Sequence, residues 1–239
     1  MTSGSTGVKG AGVQIATEGS AVIGVSLDSR SFTRSWMRYA ISYTLSRHKD
    51  VELLLGDRLL FYNKTVQNDS SQSVVEFQRA AERIAKRKAD VSALIESEIK
   101  RLPIDCQRRV RVSSWVDNSD IAFGDILRKL HICYVALTAF GECVDQDVKI
   151  HFASNLEVDR PTDHTYLSSL YILEETAMII RITELADKPF FCYPGDDFIT
   201  LHSIYDEKFT LCGLSVFNLT GRPKSRIFRS LLLPQSSEH

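Results

Sequence analysis

Six residues near the start of the chain, Ala21-Val-Ile-Gly-Val-Ser26, limit the fold more than any other stretch. A short apolar run rich in β-branched residues and ended by small polar ones reads as a strand buried on both faces. Residues 33–47 follow with Trp36, Ala40, Ile41, Tyr43 and Thr44 at helical spacing. Val51-Glu-Leu-Leu-Leu-Gly56 is then a second apolar strand, closed by Gly56-Asp57. Strand, helix and strand within about 35 residues form a right-handed βαβ crossover, which commits both strands to a parallel sheet.

The rest of the chain continues this pattern. Residues 74–101 read as one long helix, with Phe77, Ala81, Ile84, Ala85, Val91, Leu94, Ile95 and Ile99 among its apolar positions and Pro103 to stop it. Residues 109–115 alternate charged and apolar side chains, as a strand with one exposed face does. Residues 118–145 are expected as a helix, and residues 165–186 as another, capped by Asp163. Late strands are expected at 198–202 and 209–217. Residues 1–20, rich in Gly, Ser and Thr, are expected to form a flexible tail. Residues 21–232 then make one α/β domain with an open, mainly parallel, Rossmann-like sheet, followed by a short tail at 233–239.

Composition removes several function classes. At 239 residues, 44% hydrophobic and 25% charged, the chain is long enough to bury a core without disulfides or metal. No apolar run approaches the roughly 18 residues of a membrane-spanning helix. The first residues, Met-Thr-Ser-Gly-Ser-Thr-Gly, lack the apolar centre of a secretion signal, so a cytoplasmic location is expected. Five scattered cysteines without a C-x-x-C pair are expected to be free thiols. The six histidines are equally dispersed, and no metal site is expected. A net charge of -1 neither announces nor excludes a nucleic-acid partner.

Some residues nevertheless carry chemistry. Ser26 ends the first strand, and ligands of open α/β sheets bind outside such ends. It is placed to act as a nucleophile, or simply to cap a turn. No G-x-S-x-G elbow surrounds it. Gly7, Gly10 and Gly12 precede the first strand instead of following it, which removes a dinucleotide fingerprint, and there is no Walker loop. Tyr171 and Glu175, four apart on an expected helix, share one face. A carboxylate there can hold an ammonium, and a phenol beside it can donate, accept or relay a proton. The alternative is a half-exposed helix face with a tyrosine at its edge. Arg79, Arg83, Lys86 and Arg87 form one basic stripe on the long helix, with Lys88 beside it and Glu82 opposing. The stripe suits the phosphates of an RNA, or an ordinary solvated face. Arg222, Lys224, Arg226 and Arg229 form a second basic cluster.

Three segments together resemble the cyclodipeptide synthase family: Ile23-Gly-Val-Ser-Leu-Asp-Ser-Arg-Ser-Phe32, the basic helix of residues 76–101, and Tyr171-Ile-Leu-Glu-Glu175 with Asp187-Lys-Pro-Phe-Phe after it. The resemblance spans roughly residues 20–215 and implies a fold similar to the catalytic domains of class I tyrosyl- and tryptophanyl-tRNA synthetases. It implies an aminoacyltransferase that joins two aminoacyl-tRNAs into a cyclic dipeptide (a 2,5-diketopiperazine) without ATP or another cofactor. The chain has neither a HIGH-type nor a KMSKS-type motif, consistent with a substrate that arrives already activated.

Carried over by residue, the resemblance makes Ser26 the acyl-accepting nucleophile and gives Gly24 the task of keeping the pocket floor clear. Tyr171 and Glu175 would hold the α-ammonium. Arg79, Arg83, Lys86, Arg87 and Lys88 would hold tRNA. A monomer is expected. Relatives of one group carry Asn where this chain has Ser29. Relatives also carry, on a late strand, a Tyr followed by His, Gln or Pro. With that strand expected at 198–202, His202 is the candidate for the tyrosine's place, with Ser203 and Tyr205 behind it. These departures suggest a remote branch, similar to the fungal group that makes arginine-containing cyclic dipeptides. Such a pocket needs a carboxylate, for which Asp57, Asp187, Asp197 and Asp206 are candidates. The rival readings are a non-catalytic RNA-binding α/β protein, a serine hydrolase of small esters, and a nucleotide or small-molecule binder.

Overall fold

The structure is a computed structural model that describes residues 17–27, 32–59, 62, 74–152, 162–186, 188–192, 198–206, 210–211, 214–215 and 228–230. Its first unit is the crossover expected from sequence: β1 (Thr17–Val25), α1 (Arg34–Leu45) and β2 (His48–Leu55). The Thr33 hydroxyl accepts from the Trp36 N–H at 3.2 Å and so caps α1. The buried positions of α1 are Trp36, Met37, Ala40, Ile41, Thr44 and Leu45, one helical stripe laid on the sheet. β1 reaches back to Thr17, four residues into the expected tail.

The chain then forms α2 (Val74–Ile99), the one-turn α3 (Ile104–Gln107) and β3 (Val110–Ser114). The helix expected over 118–145 is two helices, α4 (Ile121–Ala136) and α5 (Thr138–Phe152). Leu137 between them is extended, with φ -118 and ψ 102. No Gly or Pro marks that break in the sequence. α6 (Thr162–Ile180) starts earlier than expected, so Asp163 falls inside it, and it ends in a wide π-type turn at Arg181–Leu185. That turn feeds β4 (Phe190–Cys192), a strand the sequence reading did not assign.

The segment expected as a strand at 198–202 is instead a helix, α7 (Ile199–Tyr205). Its cap comes from far away in sequence. The buried Asp147 carboxylate of α5 accepts from the Ile199 and Thr200 N–H groups, both at 2.8 Å. The strand expected over 209–217 is a pair of two-residue strands, β5 (Thr210–Leu211) and β6 (Leu214–Ser215), antiparallel and outside the main sheet. β7 (Phe228–Ser230) completes the described elements.

The main sheet has the order β3-β2-β1-β4-β7, and each adjacent pair is parallel. The mainly parallel α/β sheet expected from sequence is therefore present. The connections move outward from β1 to β2 and β3, then return to place β4 on the other side of β1. The reversal between β1 and β4 is a topological switch point, where α/β sheets open a crevice at their carboxyl ends. One face of the sheet packs Ala21, Ile23, Val25, Val51, Leu53, Leu55 and Phe191 with residues of α1 and α2. The other packs Val22, Leu54 and Phe190 with residues of α4, α5, α6 and α7. Among the described residues, no helix is long and apolar enough to cross a membrane.

Candidate active site

Strand register brings the chain ends after β1 and β2 together. Val25 pairs with Leu55, and the Gly56 N–H donates to the Val25 carbonyl at 2.9 Å. Ser26 and Leu27 therefore stand beside Gly56, Asp57 and Arg58. Along β1, Val22 faces the helices α4 to α7, as does the open side of Gly24 toward Phe190. Ser26 is the next position of that parity.

Gly24 is constrained by its neighbour on β4. A Cβ there would lie 2.6 Å from Cζ and 3.1 Å from Cε1 of Phe190, a ring that is itself buried. The missing side chain makes room for a phenyl ring of β4.

Tyr171 and Glu175 lie one turn apart on α6 and are joined by a side-chain hydrogen bond. Burial pushes the Glu175 carboxyl up to about 7, against the opposing pull of the Tyr171 hydroxyl. Tyr171 is buried and Glu175 half-buried. Arg181, at the foot of α6, feels the charge of Glu52, the register partner of Val22. Tyr171 and Glu175 share α6 with Glu174, which pairs with Arg58 three residues beyond β2, so this part of α6 lies at the end of the sheet that carries Ser26.

The sequence reading missed a buried cluster beside them. Glu174 is fully buried and accepts from the Tyr62 hydroxyl at 2.5 Å while pairing with Arg58. Burial raises the Glu174 carboxyl, and Tyr62 and Arg58 oppose that rise. Burial and the adjacent carboxylate push the Tyr62 phenol up to about 12. In the sequence, Glu174 is visible only as half of an acidic doublet, and Arg58 and Tyr62 sit in a segment without periodicity.

Asp57, expected as a carboxylate for substrate, has internal partners. One oxygen takes Lys88 Nζ at 2.6 Å, and the other accepts from the Trp115 and Arg58 N–H groups, both at 3.1 Å. Lys88, expected on the RNA face, thus pairs with Asp57, with 40% of its side chain exposed. Arg87 lies on the exposed side, but its Nε donates to the Leu27 carbonyl at 2.6 Å. Arg79, Arg83 and Lys86 are exposed, as is Glu82.

His202 lies on α7, so the strand that gave it a role does not exist. The Tyr205 hydroxyl donates to Glu184 and shares a hydrogen bond with Thr183, each at 3.1 Å. These partners lie eight and nine residues beyond Glu175, toward the foot of α6. Asp206 is exposed at the end of α7. Ser29, Asp187 and Asp197 lie outside the described residues, as do Arg222, Lys224 and Arg226. The strand that adjoins β1 at the switch point is β4, and the two residues that follow it in sequence are Tyr193 and Pro194, also outside the described residues. A Tyr-Pro pair eighteen residues after Glu175 was readable in the sequence, but only once a strand was recognised in Phe190-Phe-Cys192. Among the described residues, no group of three or more His, Cys, Asp or Glu side chains is placed to hold a metal ion.

No protein-family model matches the sequence, and no curated protein does. Solved structures match by fold. AlbC, a cyclodipeptide synthase from Streptomyces noursei, superposes with a TM-score of 0.61 at 13% identity, over 78% of this chain and 88% of that one. A CDPS from Staphylococcus haemolyticus gives 0.62 at 16% identity, over 81% and 85%. A Mycobacterium tuberculosis protein, described as demonstrating that cyclodipeptide synthetases are related to type I tRNA synthetases, gives 0.63 at 16% identity, over 83% and 82%. The chain has the fold these proteins share.

Proposed function

We propose that the chain is a cyclodipeptide synthase, a cytoplasmic and monomeric aminoacyltransferase that uses two aminoacyl-tRNAs and no cofactor. The observation that carries the reading is the Tyr171–Glu175 hydrogen bond, with the Glu175 carboxyl pushed up to about 7 on the helix whose Glu174 pairs with Arg58 beyond the end of β2. A carboxyl poised there alternates between holding an ammonium and accepting its proton near neutral pH. The shared fold and the switch-point position of Ser26 support the same reading.

In this mechanism the Ser26 oxygen attacks the aminoacyl ester of the first tRNA. The Ser26–acyl bond forms, the ester bond to the terminal ribose breaks, and the serine proton passes to the departing ribose hydroxyl. Glu175, steadied by Tyr171, holds the α-ammonium of the bound aminoacyl group. The amine of the second aminoacyl-tRNA attacks the acyl-enzyme, giving a dipeptide esterified to the second tRNA and restoring Ser26. Transfer of that dipeptidyl group to Ser26 releases the second tRNA, and the dipeptide's own amine then attacks the ester. The ring closes and Ser26 is freed. Arg79, Arg83 and Lys86, exposed on α2, serve the phosphates of the first tRNA. Tyr193, next after β4 and followed by Pro194, takes the place of the family's late-strand tyrosine, and His202 does not. Arginine is proposed as one of the two amino acids on the resemblance to the fungal group. Asp57, whose oxygens already accept from Lys88 and two backbone N–H groups, is not proposed as its carboxylate.

The test is expression in a bacterial host with mass spectrometry of the medium, beside incubation of the purified protein with a charged tRNA pool. New cyclic dipeptides that vanish in Ser26→Ala, and an aminoacyl adduct on Ser26, are expected. The product masses name the amino acids. Tyr193→Phe is expected to lower product yield far more than His202→Ala. A soluble wild type that binds RNA but forms neither product nor adduct, with arginyl-tRNA present, would overturn the reading in favour of a non-catalytic RNA-binding protein.

A further inference from the structure

The basic stripe of α2 divides into two parts that do different things. Arg79, Arg83 and Lys86 point to solvent. The next two residues grip the carboxyl end of the sheet. The Arg87 Nε holds the carbonyl of Leu27, the residue after Ser26, at 2.6 Å. The Lys88 ammonium holds Asp57, two residues beyond β2, at 2.6 Å. Asp57 in turn takes the Trp115 N–H, the first residue after β3. Two neighbouring side chains of one helix thereby reach the chain ends after β1, β2 and β3.

We infer that Arg87 and Lys88 are positioning residues that lock the RNA-facing helix to the strand ends carrying Ser26, so that the seat of α2 sets the place of the nucleophile. The inference rests on the proposed acyl transfer for its kinetic consequence, but the lock itself is a property of the fold. Its energetics follow from the contacts. A charge-assisted bond to a largely buried carboxylate is stronger than a bond between neutral groups. Removing Lys88 leaves Asp57 with backbone donors alone in a site where its side chain is mostly covered. An RNA that binds Arg79, Arg83 and Lys86 biases the position of α2, and the two grips pass that bias to Leu27 and Asp57. The two parts of the stripe therefore act on different kinetic quantities: Arg79, Arg83 and Lys86 on affinity, Arg87 and Lys88 on the rate once RNA is bound.

The experiment measures both on the same proteins. RNA affinity is read by fluorescence anisotropy with uncharged tRNA, and single-turnover acylation of Ser26 is read at saturating charged tRNA. Arg83→Met is expected to weaken binding more than it slows saturated acylation. Lys88→Met and Arg87→Met are expected to keep affinity within about twofold while acylation falls about tenfold to a hundredfold, the usual cost of misplacing a reacting group. Lys88→Arg, which restores a cation for Asp57, is expected to recover most of the rate. Affinity lost in Lys88→Met with saturated acylation unchanged would make Lys88 an RNA ligand and overturn the inference, as would no change in either quantity.

A second measurement does not depend on chemistry. Hydrogen exchange at the Gly56 and Trp115 amides is expected to slow when tRNA is added to wild type, and not in Lys88→Met. If the wild type forms no adduct but shows this RNA-dependent protection, the acyl-transfer reading fails and the lock stands. If protection is the same in wild type and Lys88→Met, the lock fails.

Discussion

Glu175 carries a cost that its proposed role explains and that stability measurements can read. In the unfolded chain its carboxyl ionises near 4.5, and in the folded protein near 7. Below 4.5 the group is protonated in both states and contributes no difference. Between the two values the unfolded chain releases its proton while the fold retains it, so stability falls as pH rises. Above 7 the carboxylate is ionised in both states and the full penalty is present. Each pH unit separating the values is worth about 1.4 kcal/mol, so the penalty approaches roughly 3 kcal/mol, less what solvent reaching the side chain recovers. Glu175→Gln keeps an acceptor for the Tyr171 hydroxyl but has nothing to ionise. The variant is expected to match the wild type in urea denaturation near pH 4.5 and to exceed it by roughly 2–3 kcal/mol at pH 8. In a chain of this length that is a rise in melting temperature of roughly 5–10 °C. The same substitution removes the ammonium-holding charge and is expected to abolish cyclic product. Wild type and variant whose denaturation midpoints shift in parallel between pH 4.5 and 8 would refute the assignment of a burdened carboxyl, whatever the activity does.

Two further predictions concern the frame around the site. Gly24→Ala places a methyl group into the Phe190 ring and is expected to cost about 1–3 kcal/mol in urea denaturation. Phe190→Leu in the same chain should recover part of that loss, and a Gly24→Ala protein as stable as wild type would refute the steric account. Asp147→Ala leaves the Ile199 and Thr200 N–H groups without their shared acceptor and is expected to cost roughly 2 kcal/mol. Faster hydrogen exchange confined to residues 199–205 would check it, with Asp147→Asn intermediate because it keeps one carbonyl acceptor.

Local order was legible wherever a segment supplied its own punctuation. Ala21–Ser26 and Val51–Gly56 are short, apolar and ended by small residues, so the central strands and their parallel pairing could be read from spacing. The stripe of α1 and the stop at Pro103 were legible for the same reason, and so was the shared face of Tyr171 and Glu175. These are i to i+4 facts, fixed by backbone geometry before any packing occurs.

What escaped the sequence depended on partners distant along the chain. Residues 198–202 have the composition of a strand, but Asp147, about fifty residues earlier, caps them into a helix. Phe190-Phe-Cys192 is too short to announce itself, and becomes a strand because β1 offers it a neighbour at the switch point. With the late strand read at 198–202, the late tyrosine's place falls on His202, and Tyr193 goes unmarked. At Gly24 the sequence shows only an absent side chain, and the tertiary structure sets the Phe190 ring against it. The basic stripe looked uniform because charge and spacing do not record direction. Only the tertiary structure turns Lys88 toward Asp57 and sets Arg87 on Leu27, leaving Arg79, Arg83 and Lys86 to solvent. The sequence by itself determined which residues share a strand or a helix face. The packed fold alone decided which buried group each one meets, because that depends on which distant segments share a boundary with it.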